Sequence, residues 1–474
     1  QTLEMLDAGA NAYNVAVGYD AGKVVTTGVE NVLIGGQAGD ALTAGGSNVV
    51  IGQGALGTED ATGRVVAIGF GALATQNTAA NSYNVAIGYN ASTLSTTGAE
   101  NTIVGSFAGD AILSGANNVL MGVHAGGGLT GGSSNVAIGH SALRNETAYG
   151  SNVAIGEQAL TTQDAGATAY NVAVGFHAGK VVSAGVANIL IGGFAGVLLT
   201  TGAGNVAIGR SALGSENAHG RNVAIGYLAL NAQDAGVDAY NVAVGYETGM
   251  TISTGTNNTF LGTRAGLNTT TGASNIAIGY ASLYANNVGT QNVAIGQQAM
   301  DQNQGGDRSV AIGHHALMTQ NPAVAGTDMY NVAVGFEAGN DITTGTENTF
   351  IGGLAGDALT TGLGNTALGM KALSTDTTGR YNVAIGHSTL ENQAFAGSEG
   401  VYNVAVGYSA GNQVTSGVQN TLIGGLAGDA MTTAGGNVAI GYNSLSSATI
   451  GNSNVAIGKN AMNANVAADR NVAI

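Results

Sequence analysis

Cysteine and tryptophan are absent from this 474-residue chain, and proline occurs only once, at Pro322. Without cysteine the chain can form neither a disulfide framework nor a thiolate metal site. Charged residues make up only 8% of the sequence, whereas typical soluble domains contain about 25%. No apolar run reaches the length of a membrane span, so we expect no membrane insertion in this segment.

Positive charge is particularly scarce. The 12 Lys and Arg are scattered and the net charge is −16, so the basic patch that nucleic-acid binding requires is missing. The acidic balance also argues against electrostatic attachment to an anionic membrane. We therefore expect neither nucleic acid nor membrane among the partners.

Recognisable catalytic constellations are missing as well. Residues 52–57 match a dinucleotide-binding glycine pattern, but Gly52 is a recurrent repeat glycine and no βαβ unit surrounds it. Paired carboxylates are rare, and both Glu59-Asp60 and the neighbourhood of Glu399 are predicted to lie in surface loops. The sequence predicts no enzyme activity, no cofactor and no metal site.

What the sequence has instead is one short phrase, Asn-Val-Ala-Ile-Gly or a close copy, repeated from end to end. Its first residue, here termed the anchor, occurs 27 times; 25 anchors are Asn, and the other two are Val65 and Ser309. Of the 26 spacings between anchors, 21 are 17 residues long and five are longer, at 19, 19, 19, 22 and 21. A constant step predicts a solenoid in which each repeat is one coil stacked on the last.

The 17-residue step is too short for a helical hairpin and is predicted to hold two short strands and two turns. Val-Ala-Ile favours a strand, and the Gly that follows permits a sharp bend. Eighty glycines with a single proline exclude collagen, which needs abundant proline. The predicted fold class is all-β: a parallel β-solenoid, or β-roll, of about 27 coils.

The repeated phrase also suggests a partner. Strand alternation puts Val and Ile on one side and Asn, Ala and Gly on the other. Neither side is charged, which indicates a strand covered on both faces. We assign Val and Ile to the coil interior and expect the Ala and Gly side to approach a second chain; the reverse assignment, with Val and Ile towards a common axis, stays open. In both cases the partner is another copy of this chain.

The anchors are predicted to have a structural role. Stacked at one position of every coil, each side-chain amide can donate to and accept from its neighbours, which forms an Asn ladder. The ladder predicted for the N-terminal half comprises Asn14, Asn31, Asn48, Asn84, Asn101, Asn118, Asn135, Asn152, Asn171, Asn188, Asn205 and Asn222.

The five long spacings divide the chain into modules. Residues 1–13 are predicted to be an N-terminal cap or the continuation of a larger chain, and residues 14–474 a continuous shaft. The predicted modules are 14–83, 84–170, 171–240, 241–330, 331–402 and 403–474.

An insertion precedes each module after the first and is predicted to bulge from the shaft. The insertions comprise residues 76–82, 163–169, 233–239, 320–329 and 392–401. They are the candidate contact loops for a host-surface glycan or receptor, with plain spacers as the alternative. The candidate contact residues are Asn77, Asn81, Tyr83, Asp164, Tyr170, Asp234, Tyr240, Asn321, Asp328, Tyr330, Glu399 and Tyr402.

Two further sets of polar residues are predicted to be structural. Asp40, Asp110, Asp357 and Asp429 share one coil position and are expected to be solvated turn residues; an ion bound on an axis between chains is the alternative. His314 and His315 form the only adjacent histidine pair. Neighbours on a strand point to opposite faces, so this pair is predicted to be unsuited to holding one metal ion.

The phrases Asn-Val-Ala-Ile-Gly-Tyr-x-Ala-Leu and Thr-Thr-Gly-x-x-Asn resemble two related groups of proteins. One is the head of trimeric autotransporter adhesins of the YadA type, left-handed parallel β-rolls built from Asn-Ser-Val-Ala-Ile-Gly repeats. The other is the repeat shaft of phage and viral tail fibres. This chain departs from the YadA type in its 17-residue step and in lacking Ser after Asn. It is similar to the fibre type in its step and its Ala-Leu pairs, as at Ala55-Leu56 and Ala142-Leu143.

The resemblance implies a homotrimer and an extracellular location, on a virion or a cell surface. The function it implies first is the shaft of a virion or phage tail fibre that extends a host-recognition surface. A bacterial surface adhesin is the second expectation, and a self-assembling extracellular filament is the third.

Overall fold

The computed structural model describes residues 1–9, 11–61, 63–397, 399–464 and 466–474. Two compact units make up the chain, Gln1–Ala239 and Tyr240–Ile474. Their boundary lies one residue before the end of the third predicted module, 171–240. The described residues form strands and turns and contain no helix. Each unit is a parallel β-solenoid, and the chain has about 27 turns with a 17-residue step, which confirms the predicted fold class.

The first unit contains thirteen strands, β1–β13. Their bounds are Val15–Val17, Val32–Ile34, Val49–Ile51, Val66–Ile68, Val85–Ile87, Thr102–Val104, Val119–Met121, Val136–Ile138, Val153–Ile155, Val172–Val174, Ile189–Ile191, Val206–Ile208 and Val223–Ile225. Neighbouring strands pair in parallel and without offset, so that Val172 faces Ile189 and Val174 faces Ile191.

The second unit contains the strands β14–β29. Their bounds are Val242–Val244, Thr259–Leu261, Ile276–Ile278, Val293–Ile295, Gly306–Asp307, Val310–Ile312, Thr327–Asp328, Val332–Val334, Thr349–Ile351, Thr366–Leu368, Val383–Ile385, Val404–Val406, Thr421–Ile423, Val438–Ile440, Val455–Ile457 and Val472–Ala473. Among the described strands, only β18 and β20 lie outside the coil ladder; they pair with each other, and β20 lies within the insertion at 320–329.

The prediction of two strands per coil is wrong, because most coils have a single three-residue strand and close the rest of the circuit with turns. In the coil that starts at Asn101, the strand is Thr102–Val104. The turn side is also stacked by hydrogen bonds, since the Gly109 N–H donates to the Ala125 carbonyl of the next coil at 2.9 Å. A short strand is therefore enough, because backbone groups on the other sides also pair between coils.

Three left-handed residues per coil make these tight turns possible. In the same coil Phe107, Gly109 and Asn117 have φ values of 57°, 53° and 59°. Left-handed geometry costs a non-glycine residue about 1–2 kcal/mol. The inter-coil hydrogen bonds offset this cost: the Phe107 N–H, for example, donates to the Tyr89 carbonyl at 2.9 Å.

The assignment of the strand faces is also wrong, and the reverse arrangement is found. Anchor and alanine side chains lie inside the coil, as Asn135 and Ala137 show, both fully buried. The flanking Val136 and Ile138 point outwards and are half-buried. The physical reason is size, because a coil of 17 residues is too thin to enclose two β-branched side chains on every strand as well as the side chains from its turns.

Two interior positions of the coil compensate for each other in side-chain volume. When the middle strand residue is large, the residue six positions later is Gly, as in Phe350 and Gly356. When the middle residue is Ala, the later residue is usually Leu, as in Ala367 and Leu373. A Cβ added at Gly356 would lie 2.5 Å from Cε1 of Phe350, so the two large side chains cannot coexist in one coil.

The glycine that closes each phrase is required for two reasons. Gly105 has a φ of 141°, a conformation that L side chains rarely adopt. A Cβ added there would lie 2.5 Å from the carbonyl oxygen of Gly122 in the next coil. The closing glycine thus permits both the bend and the close stacking of backbones.

Candidate functional site

The outward face of the strand ladder is an uncharged apolar stripe. We define the ladder face as the first and third residues of each coil strand. In β1–β13 every one of these residues is aliphatic or Met except Thr102, and none is charged. Many are more than a third exposed, for example Ile34, Ile189 and Ile191 at 37%, 39% and 36%. The second unit has the same face, with Ile276 and Ile351 each at 39%.

Exposed aromatic side chains flank this face just beyond the closing glycines. Phe70 and Tyr89 stack in successive coils with ring centroids 5.3 Å apart. Tyr89 then meets Phe107 edge to face at 5.2 Å, and Phe107 stacks on His124 at 5.2 Å. Such ring pairs contribute about 0.5–1.5 kcal/mol beyond their buried area, so the column stiffens this edge of the coils.

The anchors form a ladder whose main bond is to the backbone. The Asn118 Oδ1 accepts the backbone N–H of Asn135 at 2.9 Å, and the Asn118 Nδ2 donates to the Gly132 carbonyl of its own coil at 2.9 Å. An additional amide–amide bond joins the Asn118 Nδ2 to the Asn101 Oδ1 at 3.0 Å. The side chain thus fastens its coil to the next and also ties the end of its coil to the beginning.

The same backbone-to-amide bond recurs through both units. The accepting Oδ1 atoms in the first unit belong to Asn14, Asn31, Asn48, Asn84, Asn101, Asn118, Asn135, Asn152, Asn171, Asn188 and Asn205. Asn222, the last anchor of the first unit, is also buried and donates its backbone N–H to the Asn205 Oδ1. The two anchors that are not Asn, Val65 and Ser309, both begin coils that carry an insertion.

The insertions are anchored at both ends, so only their middle parts bulge. Gln is the first residue of four insertions and the second residue of the fifth, and it is fully buried in all five: Gln76, Gln163, Gln233, Gln320 and Gln393. The last residue is buried too: Ser82, Ala169, Ala239, Met329 and Val401. Sequence reasoning predicted the bulge but missed its buried ends.

The candidate contact residues of the first unit lie around these bulges. Asn77, Asn81, Asp164 and Asp234 are exposed. The Asn81 Oδ1 accepts the Gly63 N–H at 3.2 Å. Tyr83 and Tyr170 are 49% and 65% exposed, and the Tyr83 hydroxyl accepts a hydrogen bond from Arg64 at 2.7 Å.

In the second unit Asn321 and Asp328 are half-buried, whereas Glu399 is exposed. Arg308 contacts both the Asp328 carboxylate and the Tyr330 hydroxyl. Tyr240, Tyr330 and Tyr402 are 47%, 49% and 52% exposed, and Tyr402 stacks on Tyr381 at 5.3 Å. Four or five coils separate successive insertions, so the structure does not gather the contact residues of a unit into one site.

A buried polar column lies beneath each insertion. It occupies the position eleven residues after the anchor, which faces the coil interior and holds Leu42, Ile112 or Val182 in other coils. In the insertion coils this residue is the buried Gln. In the preceding coil, the residue at this position is Glu59, Glu146, Glu216, Asn303 or Asp376, and all five are fully buried. The signal was present in the sequence as a polar residue at an otherwise apolar repeat position.

The expectation that Glu59 lies in a surface loop is therefore wrong. Its Oε2 lies 3.4 Å from the Gln76 Nε2 inside the coil. In the last insertion the Gln393 Nε2 donates to the Asp376 Oδ2 at 2.5 Å, and the Gln393 Oε1 accepts from the Asn403 Nδ2 at 2.9 Å. Burial raises the pKa of Glu146, Glu216 and Asp376.

Asp40, Asp110, Asp357 and Asp429 lie in turns, as expected, and are half-buried. Burial raises the pKa of all four carboxyls. For Asp357 burial, together with the nearby negative charges of Asp341 and Glu337, raises the pKa to about 6. Its Oδ1 is buried without a hydrogen-bond partner among the described residues.

The strand placement expected for the histidine pair is wrong, because His314 and His315 lie in a turn after β19; that the pair holds no metal ion stays a prediction. Their ring centroids are 3.7 Å apart, and the His315 Nδ1 lies 3.8 Å from the Glu337 Oε1. One ligand atom from each of these three residues lies within 4.8 Å of the others. A second set with the same property consists of Glu216, His219 and Asp234.

Comparison with known proteins gives no family for this chain. No protein-family model matches the sequence, and no curated protein matches it significantly. Among the residues that the structure describes, none belongs to a helix long and apolar enough to cross a membrane.

Open polar grooves lie on the turn side of the second unit. One of about 370 Å³ is lined mainly by amide and hydroxyl side chains. Its polar lining residues are Thr251, Asn268, Thr270, Asn287 and Gln304. A neighbouring groove of about 260 Å³ shares Asn287 and Gln304 and reaches Asn321 and Pro322 in the insertion. Such linings offer neutral hydrogen-bond donors and acceptors beside one candidate contact loop.

Proposed function

We propose that this chain is the shaft of a trimeric extracellular fibre, of the virion or phage tail-fibre type, that presents a host-recognition surface. The observation that carries the proposal is the uncharged ladder face, which is apolar apart from a few Thr residues and half-exposed in the single chain. Contiguous apolar surface of this extent marks an interaction site, because isolated soluble proteins rarely expose it.

Other copies of this chain fit the ladder face best. The face repeats at the coil step, so a second chain in the same register meets each outward residue with an equivalent residue, in most coils Val or Ile. A charged or irregular partner would leave many of these side chains uncovered. The number three rests on the resemblance to trimeric β-roll heads and fibre shafts, and a three-fold axis lets each chain contribute one strand face to a common core.

The choice between fibre and adhesin rests on the form of the repeat. The 17-residue step and the Ala-Leu pairs, such as Ala142-Leu143, resemble fibre-type units. The missing Ser after Asn separates the chain from adhesin heads of the YadA type. A bacterial surface adhesin remains the second candidate, and the same trimer of coils would serve it.

The polar grooves of the second unit supply the attachment part of the proposal. Amide and hydroxyl groups such as those of Asn287, Gln304 and Thr270 suit the hydroxyl groups of a neutral glycan. One such contact is weak, but three chains would present it three times, and effective concentration then raises the overall affinity by 10²–10⁴-fold.

The mass of the native particle tests the trimer. Light scattering coupled to size exclusion on residues 1–474 should give about three times the chain mass of 46.3 kDa. A mass equal to one chain would refute the proposal. A much larger, heterogeneous mass would instead favour a self-assembling filament.

Charge substitutions then test whether the ladder face is the interface. Four outward isoleucines of the first unit are replaced by Lys: Ile138, Ile155, Ile191 and Ile208. The matched control places four Lys at exposed insertion residues: Asn77, Ala79, Ala167 and Thr168. We expect the face variant to lose trimer while it keeps its β-sheet circular dichroism, and the loop variant to stay trimeric. Equal trimer content in both variants would exclude this face.

Attachment is tested separately on a trimeric sample. Binding to an array of neutral glycans should weaken at least about tenfold when Asn287 and Gln304 are both replaced by Ala, because each loses its groove hydrogen bonds. Replacing Asn145 by Ala, at an exposed position outside the candidate contact loops, is the control. Absence of any glycan binding by the intact trimer would leave the chain as a plain spacer.

A further inference from the structure

The first unit contains a cluster of metal-ligating side chains that the fibre function does not use. It consists of Glu216 and His219 from one coil and Asp234 from the insertion that follows. One ligand atom from each side chain lies within 4.8 Å of the others. The backbone fixes two of them, since the His219 N–H donates to the Glu216 Oε1 at 3.1 Å.

Two atoms of the cluster have unused hydrogen-bonding capacity. Glu216 is fully buried in the coil interior, and its Oε2 has no hydrogen-bond partner among the described residues. The His219 Nδ1 is also buried without such a partner, and it lies 3.9 Å from the Glu216 Oε1. A buried carboxylate oxygen with no donor is costly, and a bound cation is one of the few groups that satisfies it.

The chain carries an internal copy of this arrangement in which the atoms are satisfied. Seventy residues earlier, Glu146, Tyr149 and Asp164 stand in the places of Glu216, His219 and Asp234. There the Glu146 Oε2 accepts from Asn152 at 3.4 Å, and the Asp164 Oδ1 accepts from the Thr147 hydroxyl at 3.0 Å.

The second copy differs in two residues that matter. Asn217 replaces Thr147, which removes the hydroxyl that binds the Asp side chain, and His219 replaces Tyr149, which adds an imidazole. Both changes favour a cation: one frees a carboxylate and the other supplies a nitrogen ligand.

We propose that Glu216, His219 and Asp234 bind a divalent transition-metal ion, Zn²⁺ by the chemistry of the ligands. Imidazole nitrogen with two carboxylates suits Zn²⁺, with ligand distances of about 2.0–2.2 Å and a fourth position open to water. The exposed Asp234 side chain moves inwards to complete the set, while Glu216 and His219 stay in place. Two carboxylates and a neutral imidazole balance the charge of the ion.

Metal binding here would fasten the insertion to the coil below it. Asp238, near the far end of the same insertion, already accepts the Gly220 N–H at 3.0 Å and pairs with Arg221 at 3.2 Å. Zn²⁺ on Asp234 would fix the near end as well. The bulge between them would then be held at two points, which restricts a candidate contact loop.

Equilibrium dialysis of the full 474-residue chain against Zn²⁺ tests the site, with the visible spectrum of bound Co²⁺ as a reporter of nitrogen and oxygen ligation. The decisive variant is His219→Tyr, because it reproduces a residue that the chain already accommodates in Glu146, Tyr149 and Asp164. Glu216→Gln removes the buried charge with little change of shape. His140→Tyr, at an exposed position outside the cluster, is the matched control.

We expect the intact chain and His140→Tyr to bind one Zn²⁺ more tightly than either cluster variant by at least about tenfold. Hydrogen exchange at residues 234–238 should slow on Zn²⁺ addition in the intact chain and not in His219→Tyr. Equal Zn²⁺ binding by the intact chain and His219→Tyr overturns the proposal, as does loss of the bound ion only when His315 is replaced by Gln. Circular dichroism of each variant shows that its coils are intact.

Discussion

Replacing Asn118 by Ala tests how much one rung of the anchor ladder contributes. The side chain is fully buried and serves two backbone groups, the Asn135 N–H at 2.9 Å and the Gly132 carbonyl at 2.9 Å. Alanine would leave both without a partner. Each orphaned buried group costs about 1–3 kcal/mol, so we expect a local destabilisation of about 2–6 kcal/mol.

The assay must be local, because repeat arrays do not unfold in a single two-state step. Native-state hydrogen exchange reads the opening of individual coils. A loss of about 4 kcal/mol corresponds to exchange about a thousandfold faster at 1.36 kcal/mol per decade, and it should centre on the Asn135 amide. Coils four or more steps away should be unaffected.

The neighbouring Asn117 provides the control. It is exposed and has a φ of 59°, so glycine replaces it without strain. Asn117→Gly should change exchange by less than threefold, since surface substitutions usually lie within about 0.5 kcal/mol. If Asn118→Ala behaves like this control, the anchors are not what holds the coils together.

Three further predictions concern the coil interior. Gly356→Leu should lower the melting temperature because Leu and the Phe350 ring cannot share the coil. Adding Phe350→Ala should restore most of the lost melting temperature, because the coil then has the Ala and Leu combination found at Ala367 and Leu373. Gln393→Leu should cost about 1–3 kcal/mol by removing the side-chain donor to the buried Asp376 Oδ2. Adding Asp376→Asn, which removes the charge and keeps the Oδ1 that accepts from Gly379, should recover part of this loss, as denaturation of both variants would show. The folded-state pKa of Asp357, about 6 against its ordinary 3.8, means that the folded chain holds this proton more tightly than the unfolded chain. The stability that this proton gives the folded chain is fully present below about pH 4 and is lost as the pH rises to about 6. Above that pH the free energy of unfolding no longer changes through Asp357, and the total loss is up to about 3 kcal/mol before solvent screening. Asp357→Asn should therefore melt higher than the parent at pH 8 but not at pH 4, and the same difference at both values would contradict the assignment.

The sequence predicts the fold because the phrase that forms each coil recurs in it at an almost constant spacing. The step between anchors such as Asn101 and Asn118 defines the register, and the closing glycine marks where each strand ends. The direction of the strand faces cannot be predicted in this way. Both sides of Val136–Ile138 are uncharged, so alternation alone gives no inside or outside, and the narrow interior decides.

The buried polar groups were missed for a related reason. Glu59 next to Asp60 has the composition of a surface loop, and only its alignment with Leu42 of the preceding coil shows that it points inwards. His314 and His315 were assigned to a strand that ends earlier, at Ile312. A cluster such as Glu216 and Asp234 depends on which coils are adjacent, information that the repeat contains but that local patterns do not.

The closing glycine also determines how such a chain can change in length. Backbones meet too closely at Gly105 and Gly122 for a partial repeat to be added without shifting every later contact. A whole copied coil carries its own glycine, anchor and outward Val and Ile, and it adds about 4.8 Å of ladder. The chain can therefore change in length only by whole coils, which gene duplication adds and deletion removes without redesigning any contact.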